Sequence, residues 1–150
     1  QMETASRLID GGSSIPVIKC ALGGFDTHAG QLNRHRRLLT QLAEGLSSFA
    51  RAMKSARMWD DVLVMTYAEF GRRPRENASG GTDHGTAAPH FILGGRVRGG
   101  FYGEQPSLDR LEGVNMAYSL DFRALYATVA RQWWELNGSF LGPQTLPLIT

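Results

Sequence analysis

The order of apolar and polar positions predicts a strand, a long helix and a second strand in the first half of the chain. Residues 16–22 form an apolar run bounded by glycine pairs, which is typical of a buried strand. A second apolar run at residues 61–67 predicts another strand. Between them, one stripe of side chains repeats at steps of three and four: Leu32, His35, Leu39, Leu42, Leu46, Phe49 and Met53. A strand, a helix and a strand with short links predict a right-handed parallel crossover unit.

Weaker patterns predict the remaining elements. Residues 2–10 indicate a short helix, residues 91–93 a short strand, and residues 121–136 a terminal helix. A turn at residues 94–96 leads into a further extended stretch. Residues 68–88 have no periodic pattern and are expected to be an irregular loop, and so long a loop is usually functional or disordered. The predicted fold class is α/β, with a mostly parallel sheet flanked by helices.

Composition narrows the class of protein. The chain has 150 residues, of which 42% are apolar and 20% charged, as expected of one globular domain. Its net charge of +2 is too small to indicate a nucleic-acid or membrane partner. Cys20 is the single cysteine, so no internal disulfide can form, and no apolar run approaches the ~18 residues of a membrane span. Because the chain opens inside an apparent helix, we expect it to be a piece of a longer protein.

Acids and imidazoles follow the predicted strands. Asp26 and His28 come directly after the first strand, and Glu69 comes after the second. The carboxyl ends of parallel strands meet at one edge of a sheet, where ligands bind, so these side chains are predicted to share a cleft. With Asp83 and His84 from the loop, they make the donor inventory of a zinc, manganese or calcium site.

Structural alternatives exist for each of these residues. Asp26 or Thr27 is also the type of residue that caps a following helix, with His28 as a surface residue. Glu69 is alternatively a carboxylate at a helix start or at the rim, without a partner. His84 would be a turn residue, and Arg72 and Arg73 would belong to a solvated loop. Two further histidines, at positions 35 and 90, are interpreted as structural. The glycosylation pattern at residues 77–79 is short enough to arise by chance.

Three ordered motifs resemble a known family. They read Gly-Gly-Phe-Asp-Thr-His-Ala-Gly-Gln at residues 23–31, Val-Met-Thr-Tyr-Ala-Glu-Phe-Gly-Arg-Arg at 64–73 and Glu-Asn-Ala-Ser-Gly-Gly-Thr-Asp-His-Gly at 76–85. This sequence resembles the bacterial family known as domain of unknown function 1501. The resemblance implies a distant relation to the alkaline phosphatase and sulfatase superfamily, an α/β/α sandwich with one or two metals at its strand ends. It also implies that this chain is the C-terminal part of a longer protein that is exported to the periplasm or secreted.

The same resemblance assigns roles to individual residues. It implies that the metal ligands are Asp26, His28, Glu69 and His84. It further implies that Asp83 orients His84 or is itself a ligand, and that Arg72 and Arg73 contact the substrate anion. Two departures from the superfamily pattern, Phe70 and Gly30, stand where ligands are expected. The resemblance therefore implies one metal with an open position, zinc or manganese, with calcium as an alternative.

The predicted function is metal-dependent hydrolysis of phosphate or sulfate esters. The partners would be a small anionic ester and the N-terminal part of the same chain, which would supply the nucleophile. No nucleic acid and no membrane span are predicted, a homo-oligomer is left open, and the isolated chain is expected to be inactive. The alternative is a non-catalytic binding or scaffold protein that keeps the fold with a degraded metal site, as Phe70 would allow.

Overall fold

Two helices begin the chain, six short strands follow, and a third helix comes after them. The computed structural model describes residues 1–150. The chain divides into two compact units, the first formed by residues 1–62 and 75–83 and the second by residues 63–74 and 84–150. The predicted mixture of helices and strands is confirmed. The predicted parallel sheet is not formed, because the six strands make three separate two-stranded sheets.

Two helices dominate the first unit. Helix α1 (Met2–Asp10) packs against helix α2 (Gln31–Ser55), and both were predicted. The apolar stripe of α2 is buried only in its C-terminal half, where Met53 is 1% exposed, whereas Leu32 near its start is 83% exposed. Periodicity therefore identified the residues that share a face of the helix. It does not report how far along the helix that face is covered.

The strand predicted at residues 16–22 does not form in this structure. This stretch has no regular secondary structure, and Val17 within it is exposed. A strand requires the backbone of a neighbour, and the second predicted strand pairs with a different segment. That strand, β1 (Leu63–Met65), pairs antiparallel with β4 (Ile92–Gly94), with Val64 opposite Leu93. The parallel crossover unit is consequently absent from residues 1–150.

The predicted loop at residues 68–88 contains two strands instead. Strand β2 (Gly71–Glu76) and strand β3 (Thr82–Gly85) pair into a two-stranded sheet. Glycine allows this pairing, because a Cβ on Gly85 would lie 2.6 Å from the carbonyl carbon of Arg72, and a Cβ on Gly71 would collide with the backbone of Ala87. Gly71 and Gly85, which flank chemical motifs, are therefore needed for close backbone contact. A third small sheet joins β5 (Leu111–Glu112) and β6 (Asn115–Met116).

The predicted terminal helix is confirmed but ends early. Helix α3 (Phe122–Thr128) continues into a π-helical turn, Val129–Trp133. The Arg131 guanidinium then donates hydrogen bonds to four backbone carbonyls, which ties down the segment that follows: those of Asn137, Gly138, Gly142 and Pro143. None of the helices combines the length and the apolar character needed to cross a bilayer.

Acid should weaken the start of α3. Arg123 donates hydrogen bonds to Asp121 from its backbone and its side chain, which lowers the pKa of Asp121 from 3.8 to about 2. The ionised cap therefore stabilises the folded chain above about pH 4, and this contribution is lost as the pH falls to about 2. We expect the free energy of unfolding to fall more over this range in the wild type than in Asp121→Asn, which keeps a capping oxygen without the charge. Urea titrations at several pH values measure the difference, and parallel curves would contradict it.

The fully buried Thr128 should be sensitive to loss of its hydroxyl. Its Oγ1 donates to the Ala124 carbonyl at 2.7 Å and accepts from the Leu146 backbone N–H at 2.8 Å. Thr128→Val keeps the shape but leaves that N–H unpaired, so we expect about 1–3 kcal/mol less unfolding free energy. Thr128→Ser, the matched control, keeps the oxygen and should lose about 1 kcal/mol. Equal stability of the valine variant and the wild type in urea would contradict the role of the hydroxyl.

Candidate functional site

The segment before α2 presents an acid and an imidazole on the same side. Asp26 and His28 are exposed, whereas Thr27 between them is 1% exposed. Residues two apart in an extended chain point the same way, and the buried threonine points the other. Neither Asp26 nor Thr27 caps α2, since the cap is Gly30 and receives no side-chain hydrogen bond. The capping alternative is therefore wrong.

The imidazole of His28 lies between two carboxylates. Its Nε2 is 2.9 Å from Oδ1 of Asp26, and its Nδ1 is 3.5 Å from Oδ1 of Asp83. The three side chains are 49%, 62% and 47% exposed for His28, Asp26 and Asp83. Ion pairs this open to water contribute little to folding. The arrangement is instead suited to moving a proton or to offering nitrogen and oxygen donors to a cation.

Asn77 holds this arrangement together. Its Nδ2 donates to the His28 carbonyl at 3.0 Å and to Oδ1 of Asp83 at 3.4 Å. Its Oδ1 accepts from the backbone N–H groups of Ser79 and Gly81, at 3.0 and 3.1 Å. One amide thereby links the backbone at His28 to the side chain of Asp83 and closes the loop between β2 and β3.

The same loop accepts hydrogen bonds from the backbone N–H groups at the start of α2. The Ser79 carbonyl accepts from the Gly30 N–H at 3.0 Å, and the Gly80 carbonyl accepts from the Gln31 N–H at 2.8 Å. These are groups that a helix start leaves without intrahelical partners. Gly81 allows the contact, because a Cβ there would lie 2.6 Å from the backbone N of Ala29.

Asn77 was not among the candidate residues selected from the sequence. Its local pattern, Asn77-Ala78-Ser79, fits a glycosylation acceptor and was interpreted as chance. The informative signal was Gly80-Gly81 beside it, since adjacent glycines indicate close backbone approach. An asparagine before such a pair is well suited to bonding its own loop.

The second unit holds the other predicted site residues. Glu69 is exposed and precedes β2, and Arg72 and Arg73 are half-buried in β2 itself. They therefore belong to a strand, and the interpretation as a solvated loop is wrong. His84 is exposed in β3, and its ring stacks on Phe70 with the centroids 3.8 Å apart and the planes 7° from parallel.

The predicted site residues thus fall into two groups. The first unit brings together Asp26, His28 and Asp83, and the second unit contains Glu69, Arg72, Arg73 and His84. The expectation that Asp26, His28 and Glu69 line the edge of a parallel sheet is wrong, because no such sheet forms.

The two remaining histidines lie elsewhere. The ring of His35 meets that of Phe25 edge to face with centroids 5.7 Å apart, as expected of a structural histidine. Desolvation lowers the pKa of the His90 imidazole from 6.5. Neither belongs to the groups of predicted ligands.

A family model for proteins of unknown function, DUF1501, matches residues 1–139. The chain belongs to the DUF1501 family. No curated protein and no solved structure matches it.

All three chemical motifs of this DUF1501 chain lie within the matched residues. So do Asn77 and the glycines at positions 71, 81 and 85 that permit close backbone contact. The site geometry described above is therefore located in the family domain.

Removing the Asn77 amide should loosen the DUF1501 site. Asn77→Ala deletes four hydrogen bonds in a partly exposed setting, so we expect a loss of about 2 kcal/mol of unfolding free energy. We also expect faster amide hydrogen exchange at Gly30 and Gln31, because the loop carbonyls that they bond would no longer be held. Urea titration and exchange followed by NMR measure the two effects.

Ser79→Ala is the matched control for this variant. It abolishes the same glycosylation pattern but keeps the Ser79 backbone N–H that bonds Asn77. We expect it to behave as the wild type. Equal exchange rates at Gly30 and Gln31 in all three proteins would contradict the role assigned to Asn77.

Proposed function

We propose that this DUF1501 domain contributes the metal site of a hydrolase acting on phosphate or sulfate esters. The observation that carries the proposal is His28 between Asp26 and Asp83, with its backbone held by Asn77. These titratable side chains contribute little to folding, yet neutral hydrogen bonds hold the backbone beside them in place. Such an arrangement is typical of a site that is preorganised for a ligand.

The donor set fits a borderline divalent cation. Nε2 of His28 and Oδ1 of Asp26 are 2.9 Å apart, a separation at which both atoms can contact one ion. Imidazole nitrogen together with carboxylate oxygen suits zinc or manganese, whereas calcium prefers an all-oxygen set. Half exposure leaves room for the ion and a further ligand.

Asp83 completes the donor arrangement from the other side of the ring. A metal-binding histidine usually donates its second ring N–H to a carboxylate, which fixes the tautomer. Asp83 faces Nδ1 of His28, so it would favour the tautomer whose Nε2 lone pair is directed to the cation. The sequence-based role for Asp83, orienting His84, stays a prediction. Glu69 and His84 remain part of the proposal as further ligands.

A cation bound here would polarise the ester oxygen and lower the pKa of the attacking group. The residues of this chain would bind and orient. Asp26 and His28 would hold the cation, and Arg72 and Arg73 would contact the substrate anion through paired N–H donors. The nucleophile would come from another part of a longer chain.

The proposal also keeps the finer fold assignment. In a sandwich resembling the alkaline phosphatase and sulfatase superfamily, the apolar run at residues 16–22 would be a strand. The exposure of Val17 supports this, because pairing with a further segment would remove it from water. Export to the periplasm or secretion, expected from the family resemblance, remains part of the same proposal.

A non-catalytic binding protein is the second candidate. Phe70 favours it, because this residue stands where the resemblance to the hydrolase superfamily implies a ligand, and it offers no donor atom. Such a protein would still bind a cation or an anion but would not turn over esters.

Metal titration distinguishes the candidates. We expect the protein, freed of metal and titrated with Zn²⁺ in a calorimeter, to bind one ion. His28→Ala should weaken this binding at least ~10-fold, and Asp26→Asn should act in the same direction. His90→Ala, which removes a histidine outside the proposed ligand set, is the control and should bind as the wild type does.

Three outcomes are informative. Equal affinity in His28→Ala and the wild type would show that His28 is not a ligand. Wild-type protein that binds neither Zn²⁺ nor Mn²⁺ would overturn the metal site and favour the second candidate. Metal binding without hydrolysis of an aryl phosphate or aryl sulfate, even by the full-length protein, would also favour a binding role.

A further inference from the structure

A groove with a basic lining lies beside the first half of α2. This α2 groove has a volume of about 620 Å³ and is lined by one residue of the preceding segment and seven of the helix: Gly24, Arg34, Arg36, Arg37, Leu38, Thr40, Gln41 and Glu44. All of these residues belong to the first unit. The volume is in the range of cavities that hold small organic ligands, and it is far more than a single water molecule needs.

The charges that line the α2 groove are not balanced. Three arginines and one glutamate leave a net charge of +2, and Glu44 is the only acid in the whole of α2. Arginines near the other helices are paired, since Arg7 contacts Glu3 at 2.7 Å and Arg123 contacts Asp121 at 2.6 Å. None of the three groove arginines has a carboxylate partner of this kind.

The helix places two of these arginines side by side. Arg34 and Arg37 are one turn apart, and like charges at that spacing repel each other and weaken a helix. Arg34 also reaches the segment before α2, because its Nη2 lies 3.7 Å from the point that a Cβ on Gly24 would occupy. Gly24 has a φ of +97°, which side chains disfavour, so the groove stays open at this position. An anion bound between the two guanidinium groups would relieve their repulsion.

The donors of the α2 groove are side chains, not the terminus of the helix. The N–H groups of Gly30 and Gln31, at the start of α2, are already bonded to the carbonyls of Ser79 and Gly80. A guanidinium group is planar and offers paired N–H donors, which match two oxygens of a phosphate, a sulfate or a carboxylate. The groove therefore presents the donors that bind an oxyanion.

We propose that the α2 groove binds a small organic molecule that carries two negative charges on phosphate or sulfate groups. Arg34 and Arg37 bind the oxyanions, Arg36 adds to the attraction, and Leu38 contacts the carbon body of the ligand. Two charges neutralise the lining, and a concave site that contains Glu44 suits a small molecule better than a flat anionic membrane. The inference goes beyond the proposed function, because no residue of the groove is a predicted metal ligand or substrate contact.

The test uses anions that cannot be hydrolysed as esters. Phenylphosphonate, above its second pKa, and benzenedisulfonate carry two charges, whereas benzenesulfonate carries one and is the matched probe. The protein is freed of metal first, so that no anion binds through a cation. We expect the dianions to bind at least ~10-fold more tightly than benzenesulfonate, since they engage a second guanidinium. Titration followed by NMR should shift the backbone amide signals of Gly24 and Leu38.

Variants distinguish the groove from a general effect of positive charge. Arg34→Gln and Arg37→Gln should each weaken binding of the dianions about 10-fold. Arg34→Lys, which keeps the charge without the paired donors, should fall between Arg34→Gln and the wild type. Arg51→Gln is the control, because Arg51 lies in the same helix outside the groove and bonds Ser47. Urea titrations should show no loss of stability in the glutamine variants, so weaker binding would not reflect unfolding.

The outcomes decide the proposal independently of the metal site. Saturable binding of one dianion but not the other would support it and identify the oxyanion. Equal affinity in Arg34→Gln, Arg37→Gln and the wild type would overturn it, as would signal shifts confined to residues away from the groove. Failure of both dianions to bind would also overturn it and leave the arginines as a solvated face. The Zn²⁺ affinity of Arg34→Gln should equal that of the wild type in every case.

Discussion

The geometry of the first unit depends on the absence of a side chain at position 81. Without a Cβ there, the loop between β2 and β3 reaches the backbone at His28 and Ala29. That contact allows Asn77 to bond the His28 carbonyl and allows the Ser79 and Gly80 carbonyls to receive the first N–H groups of α2. The start of the helix, the direction of His28 and the place of Asp83 are thus consequences of one close approach between backbones.

The groups that hold this site in place differ from the groups that could bind a ligand. The connections that fix it are neutral hydrogen bonds of Asn77 and of the loop backbone. The titratable groups, Asp26, His28 and Asp83, are about half exposed, and ion pairs this open to water add little to folding. Removing a charge should therefore change ligand binding more than stability, whereas removing the Asn77 amide should change both. The two kinds of substitution therefore distinguish a ligand site from a surface ion pair without a ligand, because only a ligand site would lose binding when a titratable side chain is removed.

The sequence revealed what depends on local pattern and missed what depends on distant partners. The steps of three and four along α2 are a property of the helix itself, so its position was predicted closely. Strand pairing depends on which segment arrives alongside, and residues 61–67 pair with β4, not with the run at 16–22. Asp26 and His28 could be selected because of their chemistry and spacing. The link from Asn77 to the backbone of His28 spans 49 positions, and the local sequence around Asn77 contains no signal for that contact.

Position 70 shows why a missing ligand is an incomplete argument against a metal site. A phenylalanine cannot coordinate, so a count of donors alone favours a degraded site. The Phe70 ring nevertheless stacks on the ring of His84, and the Arg72 guanidinium lies over the Phe70 ring. The aromatic ring at position 70 therefore has packing contacts of its own, and its lack of a donor atom does not by itself show that the site is degraded.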